Sequence, residues 1–117
     1  MKSNDLVRGL PGEALVQEGL RDLAAGRLTV PACLVSMARP RLEQAQLLPP
    51  PASAKAIPEP ELELYRLLRQ QGGDAYSRYN ALVRELVSFE QALDHRQRRK
   101  APAAHRAQSD QPLKAVD

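Results

Sequence analysis

The fold is decided by one uninterrupted stretch, residues 74–100, which reads DAYSRYNALVRELVSFEQALDHRQRRK. Apolar side chains recur along it at alternating steps of four and three, a spacing that keeps them on one face of an α-helix. No Gly or Pro interrupts the stretch, and Asp74, its first residue, is a favourable N-cap. It therefore predicts a long helix with an apolar seam that packs on other helices, in this chain or in a partner. The seam consists of Ala75, Tyr79, Leu82, Leu86, Phe89 and Leu93.

Three more helices are predicted before this one. The first covers about residues 11–25 and ends at Gly26, because glycine readily adopts the left-handed conformation that closes a helix. The second begins at Thr29, a good N-cap, and should end or kink at Pro40, with a short helical turn after it. The third covers about residues 60–71. The expected fold is all-α, with four main helices arranged as two helical hairpins.

The composition divides the chain into four segments. An N-terminal helical hairpin occupies residues 1–48, and a linker with five prolines in twelve residues occupies 49–60. The C-terminal hairpin occupies residues 61–100. Residues 101–117 lose the apolar periodicity and become polar, which predicts a disordered basic tail. The Pro-rich segment is interpreted as an extended spacer between the hairpins.

Few side chains in this sequence are suited to catalysis or metal binding. Cys33 is the only cysteine and lies in an apolar context, so we expect a buried, unreactive thiol. His95 and His105 are the only histidines, and no carboxylates stand near them at a metal-ligand spacing. We therefore predict a non-enzymatic protein with no cofactor. No apolar run has the roughly 18 residues of a membrane span, and no secretory signal is evident, so a cytoplasmic protein is expected. The Ala-, Leu- and Arg-rich residue usage indicates a bacterial source.

The positive charge is concentrated near the C-terminal end of the sequence. Residues 95–117 hold six Lys or Arg against two Asp, whereas residues 1–94 hold eleven Lys or Arg against twelve acidic residues. Basic side chains at the end of the long helix could contact phosphates, so binding of nucleic acid through residues 95–106 is an alternative function. They also complement the helix dipole, which needs no ligand. The candidates are Arg96, Arg98, Arg99 and Lys100.

A second cluster lies at the start of the long helix. Tyr76, Asn80 and Arg84 follow one another at steps of four and share one side of that helix. Tyr and Arg are enriched among the residues that carry most of the binding energy at protein interfaces. These three residues are therefore the predicted protein-interaction site, although an ordinary solvated helix surface has the same composition.

The stretch 63–90, which begins with ELYRLL (63–68) and ends with YNALVRELVSFE (79–90), resembles a segment of small uncharacterised bacterial helical proteins. Those proteins are encoded beside nucleotidyltransferase-like proteins in toxin–antitoxin-style gene pairs. The resemblance covers about a quarter of the chain. It implies a partner-binding, accessory or antitoxin-like role and assigns no functional residue. The leading hypothesis is thus a protein–protein interaction module in which the seam contributes burial; a self-associating structural protein is a further alternative.

Overall fold

A computed structural model describes residues 6–48 and 55–100, and within them it is all-helical, which confirms the predicted fold class. The Pro-rich positions 49–54 and the predicted disordered tail, 101–117, lie outside the described residues. Five helices occur in the described part: α1 (Glu13–Ala24), α2 (Val30–Met37), α3 (Arg39–Gln44), α4 (Pro60–Gln71) and α5 (Ala75–Lys100).

Helix α2 is the centre of the molecule. Its residues Ala32 to Ser36 are buried in succession, as expected of a helix that is covered on all sides. It packs against α1 on one side and α4 on another, and it also contacts α5. The two predicted hairpins therefore share a single hydrophobic core and are not separate units.

The turn between α1 and α2 is fixed by a buried carboxylate. Asp22 accepts a hydrogen bond from the Thr29 hydroxyl at 2.7 Å and one from the Arg27 guanidinium at 2.9 Å. These two donors, the hydroxyl first, hold the pKa of Asp22 below its usual value. Thr29 also caps α2 as predicted, because its Oγ1 accepts from the backbone N–H of Ala32 at 3.2 Å. Gly26 closes α1 with a φ of 75°.

Gly19 marks the point where α1 crosses α2. A Cβ atom at Gly19 would lie 2.3 Å from the carbonyl oxygen of Pro31 and 2.4 Å from a methyl group of Val35. Both distances are too short for a real Cβ atom, so the backbones of α1 and α2 can touch here only because residue 19 has no side chain.

The chain between α2 and α4 is more ordered than a spacer in the part that the structure describes. Pro40 lies in the first turn of the separate short helix α3. Further on, the backbone N–H of Ile57 donates to the hydroxyl of Ser36 on α2 at 2.9 Å, and Lys55 donates to the carbonyl of Ala24. Residues 55–57 are thus attached to α1 and α2 by hydrogen bonds.

Helix α5 begins as predicted, with Asp74 accepting a hydrogen bond from the backbone N–H of Ser77 at 3.1 Å. Near its other end, Arg96 donates to the carbonyl oxygens of Leu6 and Arg8 at 3.0 and 2.6 Å. Val7 and Leu10 are buried, so the segment 6–12 docks on the core beside α5. Arg96 therefore joins the two ends of the described chain.

Candidate protein-interaction face

The seam of α5 is covered by this chain itself. Leu86, Phe89 and Leu93 are each at most 4% exposed and belong to the core, and Ala75 is also buried. Tyr79 and Leu82 pack against that core from its edge. The expectation that the seam contributes burial to a partner is therefore wrong for its four buried members, because their area is already used in folding. Of the seam, only Tyr79 and Leu82 retain exposed area that a partner could contact.

Two touching tyrosines connect α4 to α5 at the edge of the core. The rings of Tyr65 and Tyr79 have centroids 6.1 Å apart and planes at 74°, an edge-to-face arrangement that aromatic pairs favour. On α4, Leu64 and Leu68 point into the core and are fully buried. Tyr65 follows Leu64 directly, so its side chain emerges at the flank of the helix, where it meets α5.

Each tyrosine has neighbours three positions before and four positions after it, and such neighbours lie on the adjacent turns of the same helix side. On α4 these are Leu62 and Arg69; on α5 they are Tyr76 and Val83. Leu62 is 66% exposed and Tyr76 is 67% exposed, although both are large apolar or aromatic side chains. We call this surface the α4–α5 face; it consists of Leu62, Tyr65, Arg69, Tyr76, Tyr79 and Val83.

The α4 side of this face forms a shallow open groove. It is lined by Leu62, Tyr65, Arg66, Arg69 and Gln70, so it combines an apolar floor with two guanidinium groups and contains no carboxylate among its lining residues. The Arg66 guanidinium is paired with Glu63 at 2.6 Å. Arg69 is exposed, and no ion pair or hydrogen bond joins its side chain to the described part of the chain.

The three residues predicted as the interaction site lie on or beside this face. Tyr76 belongs to it, Asn80 is half-buried one turn further along α5, and Arg84 is exposed another turn on. Leu62, Tyr65 and Arg69 were missed as site residues. Leu62 stands two positions before the buried Leu64. Two steps of an α-helix turn by about 200°, which points Leu62 outwards.

The basic segment at the end of α5 is partly engaged within the chain. Arg96 binds the backbone of the segment 6–12, and Arg98 pairs with Asp94 at 3.1 Å, one helical turn away. Arg99 and His95 are exposed, and the side chain of Lys100 lies outside the described set. Two of the four candidate phosphate ligands thus have intramolecular partners.

Groups that could support other chemistry lie far from solvent or from one another. Cys33 is fully buried, and burial raises the pKa of its thiol from 9.0 to about 11. Burial also raises the pKa of Glu90, against an opposing effect of the nearby Arg41. Within residues 6–48 and 55–100, no three His, Cys, Asp or Glu side chains are grouped as a metal site would require. None of the described helices has the length and apolarity needed to cross a bilayer.

Comparison of the chain with protein families, curated proteins and solved structures finds no match. The candidate site is therefore defined by its own geometry: an exposed aromatic and aliphatic surface, flanked by arginines, on two helices whose inner sides are fully packed.

Proposed function

We propose that this chain is a non-enzymatic protein-interaction module that binds its partner through the α4–α5 face, as the accessory or antitoxin-like member of a bacterial gene pair. The observation that carries the proposal is the exposure of Leu62 and Tyr76 on either side of the Tyr65–Tyr79 contact. Contiguous apolar side chains at the surface of a small protein are typical of interaction sites. The gene-pair role rests on the sequence resemblance alone.

Hydrogen bonds brace the turn between α4 and α5, and bracing of this kind favours binding because it reduces the conformational entropy lost on association. Asp74 caps α5 through the backbone and hydroxyl groups of Ser77. Arg78 donates to the carbonyl of Gly72 and to the side chain of Gln71, so it ties α5 to the end of α4. The aromatic side chains of the face consequently stand on two helices joined by a braced turn.

Affinity capture with matched leucine variants tests the proposal. Full-length wild-type protein, Leu62→Ala, Tyr76→Ala and Leu28→Ala are used to capture proteins from the native host, and bound proteins are quantified by mass spectrometry. Leu28 is the control because it is also an exposed leucine, at 45%, but lies outside the α4–α5 face. Circular dichroism must show that the four proteins are equally folded.

We expect a partner that is retained by wild-type protein and by Leu28→Ala but depleted with Leu62→Ala and Tyr76→Ala. Truncation of a central anchor at an interface costs about 2 kcal/mol or more, which is roughly a thirtyfold loss of affinity. If the partner is encoded beside this chain, the gene-pair role is supported. Equal capture by all four proteins would contradict the proposal. Light scattering over a concentration series identifies self-association, the alternative in which the captured protein is this chain.

A further inference from the structure

The charges around the α4–α5 face are unbalanced in a way that bears on the partner. Its groove is lined by two arginines and no carboxylate. Arg69 and Arg84 are both exposed, and neither has an ion pair within the described residues. Arg69 gains from the dipole at the end of α4, so its presence does not by itself require a ligand. The positions of the neighbouring carboxylates provide the second argument.

Three carboxylates of the α4–α5 hairpin have contacts other than Arg69 and Arg84. Glu63 pairs with Arg66, and it lies on the side of α4 where its charge acts on the buried Cys33. Asp74 is occupied in capping α5. Glu85 lies against Gly12 of the docked N-terminal segment, where a Cβ at residue 12 would be 3.3 Å from its Cγ. Within residues 6–48 and 55–100, no ion pair joins Arg69 or Arg84 to a carboxylate.

We infer that the partner of the α4–α5 face is a short acidic segment of another protein, which places an apolar side chain against Leu62 and Tyr65 and a carboxylate on Arg69. This inference rests on the proposed function and specifies its partner class. Guanidinium groups bind carboxylates through two parallel hydrogen bonds, which makes the pairing directional. From Leu62 to Arg69 the helix rises about 10 Å, so a segment of two to three helical turns would cover the groove.

Selection from a random library of 12-residue peptides displayed on phage tests the inference without assuming a partner. The full-length wild-type protein is the immobilised target, and the enriched peptides are then measured one by one by fluorescence anisotropy. The variants are Arg69→Glu and Leu62→Ala in the face, with Arg99→Glu and Leu28→Ala as matched controls. Arg99 is exposed like Arg69 but lies about 35 Å further along α5 than Tyr76.

We expect enriched peptides to carry several Asp or Glu around an apolar residue. Their affinity should fall about fivefold or more with Arg69→Glu, since removal of a surface ion pair alone costs up to about fivefold and reversal adds repulsion. Leu62→Ala should weaken the same peptides, Arg99→Glu and Leu28→Ala should leave them unchanged, and added salt should weaken binding.

Three results would overturn the inference. Neutral or basic peptides that depend on Leu62 would show that the face binds proteins of another class, leaving the proposed function in place. A single-stranded oligonucleotide that binds wild-type protein more tightly than the peptides, and is lost with Arg69→Glu, would assign the arginines to phosphate recognition. Failure to enrich any peptide that depends on Leu62 would reject the groove as a peptide site, and the capture experiment alone would then judge the proposed function.

Discussion

Replacement of Gly19 by alanine should destabilise the protein, although alanine is the better helix former. The new Cβ would be about 1 Å closer to its neighbours than the roughly 3.5 Å of a good carbon contact, given distances of 2.3 and 2.4 Å to Pro31 and Val35. Overpacking of this kind costs up to about 3 kcal/mol. Alanine returns about 1 kcal/mol through helix propensity. We expect a net loss of about 2 kcal/mol, which lowers Tm by roughly 8–16 °C.

Thermal unfolding followed by far-ultraviolet circular dichroism measures this loss, and urea unfolding provides the free energy independently. The reverse exchange, Ala81→Gly, is the control, because Ala81 is an exposed residue in the interior of α5. It should lose about 1 kcal/mol from propensity alone. Gly19→Ala and Ala81→Gly would then both destabilise the protein, although they are opposite substitutions. A Gly19→Ala protein that melts at or above the wild-type temperature would refute the close crossing of α1 and α2.

Three further predictions concern groups that the fold buries or ties down. Burial raises the pKa of the Cys33 thiol to about 11, so this thiol should react with an aromatic disulfide at pH 8 only when the protein unfolds. The free energy of unfolding should also fall as pH rises above 9.0, the ordinary pKa of a thiol. Rapid labelling of the folded protein would contradict this prediction. Asp22→Asn should lower Tm at pH 7 and flatten the loss of stability below about pH 4. The reason is that the pKa of Asp22 is held below 3.8, so the stabilisation by its ionised carboxylate disappears as pH falls through that lowered value. A Tm–pH curve parallel to that of the wild type would disprove this role of the carboxylate. Arg96→Ala should increase tryptic cleavage after Arg8 by roughly tenfold, because loss of one charge-assisted hydrogen bond costs about 1.5 kcal/mol or more. Arg99→Ala should leave the cleavage rate unchanged. Equal cleavage rates in the two variants, measured by mass spectrometry, would contradict the proposed attachment of the segment 6–12 by Arg96.

Local signals in the sequence were sufficient for most helix positions. Thr29 and Asp74 cap helices where their side-chain chemistry predicted, and Gly26 closes α1. Those signals act within one turn of the chain, so they can be read without knowing the fold. The periodicity of residues 74–100 likewise predicted which side of α5 is buried.

What covers a buried side depends on contacts between distant residues, and the sequence did not reveal these. The seam was open to either an internal or an external partner, and only the packing of α5 on its own chain decides between them. For the same reason, Tyr76 is the one residue of the α4–α5 face that the sequence had indicated as an interaction residue. Tyr76 could be recognised as a candidate interaction residue from the spacing along its own helix. Tyr65 and Leu62 become candidates only once the contact between Tyr65 and Tyr79 is known, because this contact brings the two helices together.

The hydrogen bonds from Arg96 to Leu6 and Arg8 join residues 90 and 88 positions apart, which has a consequence for synthesis on the ribosome. The segment 6–12 leaves the ribosome well before its docking surface on α5 is translated. At 5–20 residues per second, about 4–18 s pass between the two. Throughout that interval Val7 and Leu10, which are buried in the finished protein, lack the α5 surface beside which they dock. The segment is consequently open to chaperones and proteases until α5 has been translated.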